Sequence, residues 1–301
     1  MQGVKHRTRS ARTALLHSLC ESVVIGVVGL ISALGPTTAV AQEMVSKADP
    51  LHRPFDEMLD LYVRDGFVYY NALRSDRGKL DRYIASLNGP VAIDHAKGSV
   101  DQQRALWINA YNALVLRTVI DNFPIRGKAA AYPAGSIRQI PGVFEKATHR
   151  IAGRSVTLDA IEREILPTLG DARVFLALGR GAVGGGRLRS EAFDAARMDE
   201  QLKAVAAESV RRKEIVQFDH GDNVLSVSPV FSWREAAFVA SLADKAPDMF
   251  RQRSPLERAV VALIEPYLLG SEAEFLDKNT FRMTFQEFDW RLNDLSTRSQ
   301  D

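Results

Sequence analysis

The sequence predicts a single α+β domain: a central apolar helix packed with antiparallel hairpins and surrounding helices, behind an N-terminal targeting segment. Three observations predict it. Strand-like runs come mostly in close pairs joined by polar turns, so hairpins outnumber plausible crossover units. Residues 101–123 read as the strongest helix in the chain and are apolar on nearly every side, which places that helix at the centre. No internal repeat or interdomain linker interrupts the chain after residue 54.

The first forty residues stand apart. Lys5, Arg7, Arg9 and Arg12 make a basic start, "SVVIGVVGLISAL" (22–34) is almost wholly apolar, and Ala39 and Ala41 fit a small-x-small cleavage pattern. This is the layout of a secretory signal, with cleavage expected after Ala41 and a periplasmic or secreted mature chain. The apolar core is short for a membrane span, so no stable span is expected after cleavage; the alternative is a segment kept as an uncleaved N-terminal anchor. Removing residues 1–41 takes away four basic residues and one acid, so 39 basic and 37 acidic residues become 35 and 36. That near-neutral balance argues against nucleic acid as a partner. Cys20, the one cysteine, leaves too, which excludes disulfides and thiol chemistry from the mature chain.

Residues 42–53 read as a polar linker, 54–294 as the domain and 295–301 as a polar tail. Phe55, Met58, Leu59 and Tyr62 share a helix face, ended by Gly66; "FVYYNAL" (67–73) reads as a short strand. Leu80, Tyr83, Ile84 and Leu87 mark a second helix, stopped by "NGP" at 88–90. The central helix closes at Pro124, and a long irregular stretch follows to about 142. "HRIAGRSVTL" reads as a hairpin turning at Gly153, and "LDAIEREILP" as a short helix begun by Thr157 and ended by Pro167. "ARVFLALG" reads as a buried strand; Asp194 caps a helix carrying Met198, Leu202, Val205 and Ala206; "EIVQFDHGDNVLSVS" is a second hairpin. Ser254, Pro255 and Glu257 compose a capping box, and "TFRMTFQEFDW" alternates as a strand.

"RVFLALGRGAVGGGRL" (173–188) contains G-x-G-x-x-G. A dinucleotide fingerprint needs a helix starting inside the motif, and the two further glycines that follow it, Gly185 and Gly186, oppose that at about 1 kcal/mol each. No Lys-Ser or Lys-Thr follows, so it is not a phosphate loop of the Walker type either. The residues then read as a flexible loop behind a core strand. The four histidines of the mature chain are scattered, Glu162 and Glu164 are two apart and cannot face one another, and no motif for metal or cofactor is found, so neither is expected. Asn109 and Asn112 stand at i, i+3 in the most apolar helix. Buried amides need partners, and two uses are open: holding irregular backbone such as the 124–142 stretch in place, or lining a pocket with Trp107 and Tyr111.

"ALWINAYNALVLRTVIDNFP" resembles the hallmark helix of the domain of unknown function 547 family. The likeness continues, in the family's order, through "DGFVYYNAL", "GRSVTLDAIEREIL", "DARVFLALGRGAVGGGRL", "SVSPVFSW" and "FDWRLND", over roughly residues 51–294. The family has no settled activity to carry over. The departures are specific: the resemblance implies His at Arg163 and at Phe175, Cys at Arg180 and Gly185, and Pro at Gly186. The thiols and imidazoles that would suggest a nucleophile or metal site in other members are therefore missing here. Arginine is neither base nor nucleophile near neutral pH, but Arg163, Arg180 and Arg187 suit an anion, helped by N–H groups of the glycine loop.

The sequence thus leads to an exported, non-catalytic binding or scaffold domain. Its expected partner is a protein, an envelope component or a small anionic ligand, and its candidate pocket residues are Trp107, Asn109, Tyr111, Asn112, Arg163, Arg180 and Arg187. The alternative is a hydrolase-like enzyme with a polar site around Asn109, Tyr111 and Asn112.

Overall fold

Ser99 starts the helix around which the rest is built. Its side chain accepts from the Gln102 N–H while the Gln102 side chain accepts from Ser99 N–H, a capping box that opens helix α5 (Val100–Asn122). Every residue from Ala105 to Leu116 is buried, so α5 is covered on all sides, as its unbroken apolarity requires. The structure, a computed structural model, describes residues 49–300, so the expected targeting segment lies outside the described residues. Among the described residues no helix is long and apolar enough to cross a membrane.

Four helices precede α5: α1 (Arg53–Tyr62), α2 (Tyr70–Ser75), α3 (Gly78–Ser86) and α4 (Pro90–His95). Leu51 and His52 are already buried ahead of α1. Between α1 and α2, strands β1 (Val63–Arg64) and β2 (Phe67–Val68) form a hairpin over Asp65-Gly66, both at positive φ as its two-residue turn demands. The strand expected over 67–73 is therefore only two residues long. Tyr70 and Leu73, three apart, bury one helical face, and that packing overrides the strand preference of the aromatics.

The stretch 124–142 is irregular apart from one turn at Ile137–Gln139. Strands β3 (Thr148–Ile151) and β4 (Arg154–Thr157) then pair antiparallel, as expected. Thr157 caps the following helical segment, which changes pitch twice: α6 (Leu158–Ala160), a wide π turn at Ile161–Ile165 and a tight 3-10 turn at Leu166–Leu169. Residues 172–176 are a 3-10 helix rather than the expected strand. Asp171 accepts from Arg173 N–H and starts the tight turn, and all of the segment but Arg173 is buried, a pattern that periodicity cannot tell from a buried strand.

Helix α7 (Met198–Val210) follows a turn capped by Asp194. Strands β5 (Val216–Asp219) and β6 (Val224–Val227) form the second expected hairpin, and β7 (Arg282–Phe285) joins β6 in parallel. β7 ends at Phe285, short of the expected run to Trp290. Between β6 and β7 lie α8 (Val230–Trp233), α9 (Glu235–Leu242), α10 (Pro255–Ile264) and α11 (Ser271–Asp277), with the capping box of Ser254 and Glu257 in place. Eleven helices and three small sheets make one α+β domain of the described residues, with α5 in its core.

Candidate functional site

Glu162 sits in the π turn with its side chain only 6% exposed. Its neighbour Glu164 is exposed, so the two acids do point apart. Tyr111, from the middle of α5, donates its O–H to Glu162 Oε2 at 3.1 Å. Arg180 Nη2 meets Oε1 at 2.6 Å, and Arg234, just after α8, brings Nη2 to the same oxygen at 2.9 Å. Burial alone would push the Glu162 carboxyl up. The two guanidiniums and the tyrosine hydroxyl outweigh it and hold the group below the ordinary carboxylate range. Tyr111 moves the other way: burial, then the Glu162 charge, pushes its hydroxyl well above the usual value, so it stays a neutral donor.

Arg180 is buried to 2% and has φ +49°, a left-handed conformation rare outside glycine. That turn brings its guanidinium back over its own segment, where Nη1 donates to the carbonyls of Phe175 and Leu178. Phe175 is fully buried and packs against Phe238, so that position is plain core.

These groups form the floor of a cavity of about 370 Å³. Four arginines line it, Arg138, Arg163, Arg180 and Arg234, against two carboxylates, Asp159 and Glu162. Arg138 also pairs with Glu145, and Arg163 with Asp159 at 2.6 Å. With Glu145 counted there are three acids to four arginines, which leaves the cavity electropositive. The walls are aromatic. Tyr132 and Phe144 come from the irregular stretch and its exit, Trp233 from α8, and Trp290 from the segment after β7. Trp233 and Trp290 stack with centroids 6.3 Å apart, and the Arg138 guanidinium lies 4.7 Å over the Trp290 ring and 4.5 Å over Phe144. A larger hollow of about 520 Å³ by Phe123–Ile125 has no comparable cluster of buried charge.

Of the residues singled out in the sequence, Arg163, Arg180 and Tyr111 come together here. The others do not. Asn109 bonds both ways to the Phe193 backbone, at 2.8 and 2.9 Å. Asn112 donates to Ala177 O and accepts from Gly179 N–H. Both amides hold irregular backbone in place, though at 177–179 and 193 rather than in the 124–142 stretch. Trp107 is buried, with the Arg154 guanidinium 5.7 Å over its ring. Arg187 lies elsewhere, paired with Asp65 at 2.9 Å.

The glycine loop is not a flexible cradle. All but Val183 of residues 179–186 are buried. The N–H groups of residues 182–186 donate to Gly179, Arg291, Asp289, Ala182 and Leu178 carbonyls in turn, so they are unavailable to an anion. A Cβ at Gly185 would run into the Gly179 carbonyl and one at Gly186 into that of Leu176. The loop needs glycine for close backbone approach.

Residues missed from sequence were Glu162, Arg138, Arg234 and the aromatic walls. Glu162 carried one legible signal, its place between Ile161 and Ile165 in a helical run. Arg234 and Trp290 carried none, because only the fold brings them to α5.

Residues 96–208 match the family described as "Protein of unknown function, DUF547". No curated protein and no solved structure matches the chain. The match contains α5, the Glu162 turn and the glycine loop, while Arg234, Trp233 and Trp290 lie beyond it: the chain carries a domain of the DUF547 family.

Proposed function

We propose that the protein is an exported, non-catalytic binding domain whose cavity takes a small organic anion carrying a ring. The observation that carries this reading is the sharing of one buried carboxylate, Glu162, by two guanidiniums at the floor of an aromatic-walled cavity. A carboxylate or phosphate group answers the surplus positive charge, and the stacked Trp233 and Trp290 offer a face to a ring. The amides of Asn109 and Asn112 are committed to backbone, which weighs against a polar active site around them. Export rests on the basic, apolar and small-residue pattern of residues 1–41.

The test compares inorganic phosphate, benzoate and phenyl phosphate by thermal shift and calorimetry. Phenyl phosphate should raise Tm at millimolar concentration and exceed phosphate. Arg163→Ala and Trp233→Ala, both at exposed positions, should reduce its affinity about tenfold, while Arg187→Ala leaves it unchanged. Equal shifts in all variants, or none in the wild type, would overturn the reading. Ester or peptide turnover that disappears in a Glu162→Gln variant shown to be folded would replace it with an enzymatic one.

A further inference from the structure

Away from this cavity the fold gathers three side chains that the sequence keeps apart. Asp49 and His52 lie just ahead of α1, and His95 ends α4. One donor atom from each falls within 4.8 Å of the other two. His95 Nε2 stands 3.5 Å from Asp49 Oδ2, beyond a good hydrogen bond. It is close to the spacing of two donors on one ion, about 3.3 Å for tetrahedral ligands at 2.0–2.1 Å.

His52 supplies an independent sign. It is 2% exposed, its Nδ1 lies 2.8 Å from the Tyr83 hydroxyl, and its Nε2 is buried with no hydrogen-bond partner. A sealed imidazole nitrogen without a partner is costly unless something binds it. The His52 and His95 rings face the same space, with centroids 6.0 Å apart.

We propose that Asp49, His52 and His95 form a binding site for one divalent transition-metal ion of the zinc class. Two imidazole nitrogens and one carboxylate suit zinc and its first-row neighbours, not magnesium or calcium, which want oxygen ligands throughout. Tyr83 plays the part of an outer partner: accepting from His52 Nδ1–H, it fixes the tautomer that leaves the Nε2 lone pair free. Asp194 Oδ2 accepts the Asp49 N–H at 3.2 Å, so a second carboxylate stands behind the first and the two match a double positive charge. The Asp49 and His95 side chains are 16% and 12% exposed, which gives the ion a way in and leaves a position for water. The ion clasps the start of the domain to the end of α4.

The full-length protein, without a histidine tag and stripped by chelator, is titrated with Zn²⁺ while bound metal and Tm are measured. One equivalent should bind and raise Tm, whereas Mg²⁺ and Ca²⁺ leave Tm unchanged. Asp49→Asn and His95→Ala each remove a partly exposed ligand and should weaken Zn²⁺ binding by about 100-fold or more. Tyr83→Phe keeps all three ligands and should weaken it about tenfold. His52 is left intact because truncating it opens the core. Failure of the wild type to bind one equivalent at micromolar Zn²⁺ would overturn the proposal. So would wild-type affinity in both ligand variants, or a Ca²⁺ or Mg²⁺ response equal to that of Zn²⁺.

Discussion

Glu162 carries three hydrogen-bonding partners while almost sealed from water, so its worth lies in what its loss leaves behind. Glu162→Gln strips the counter-charge from Arg180, which is 2% exposed and has Glu162 as its one ion-pair partner among the described residues. Breaking a buried pair from one side costs about 3–5 kcal/mol, because the remaining charge stays desolvated. Denaturant unfolding should show that loss, and a change under 1 kcal/mol would mean that Arg180 finds water or another partner. The same carboxyl also sets a pH dependence. Its folded pKa is depressed, so its contribution is complete above the unfolded carboxyl value of about 4.3 and is lost as pH falls through the lower folded value. Glu191 and Asp171, also held down by arginines, add to the same acid limb. The wild type should therefore lose stability faster than Glu162→Gln below about pH 4.3, and parallel curves would remove Glu162 from the account.

At the scale of elements, the glycine loop is closed by the close approach of its own backbone. The resemblance implies Cys at Gly185, yet here a Cβ would strike the Gly179 carbonyl, and backbone cannot swing aside as a side chain can. Gly185→Cys should therefore cost about 3 kcal/mol, the upper end for overpacking, without gaining a reactive thiol. A folded variant with wild-type stability and a titrating thiolate would show that the loop can reopen. Elements whose signals are local were legible from sequence: the Ser254 capping box, the hairpin at Gly153 and the cap at Asp194 all appear where expected. Elements decided by burial on every side were not. Residues 172–176 offered an apolar run broken only by Arg173, with no period to distinguish strand from helix, and 67–73 offered aromatics whose strand preference lost to the packing of Tyr70 and Leu73.

For the whole molecule, legibility divides along the same line. The α+β class and the central helix follow from composition and periodicity, properties each segment carries by itself. The cavity does not, because its floor and walls come from Tyr111, Tyr132, Phe144, Glu162, Arg180, Arg234 and Trp290, which span most of the domain. Sequence reasoning reached Tyr111, Arg163 and Arg180, each inside a recognisable motif, and missed the groups that only tertiary contact delivers. This dispersion makes the cavity testable as a unit by hydrogen exchange. An anion seated among Arg138, Arg163 and Arg234 and covered by Trp233 and Trp290 would tie the irregular 130–145 stretch to 230–234 and 286–291. With phenyl phosphate at saturation, amides in those three stretches should slow about tenfold. Residues 105–116, buried throughout, should exchange slowly with and without ligand, and the hairpin at 63–68 beside Arg187 should not change. Protection spread evenly over the chain, or centred on 63–68 and 183–187, would place the ligand somewhere other than the Glu162 cavity.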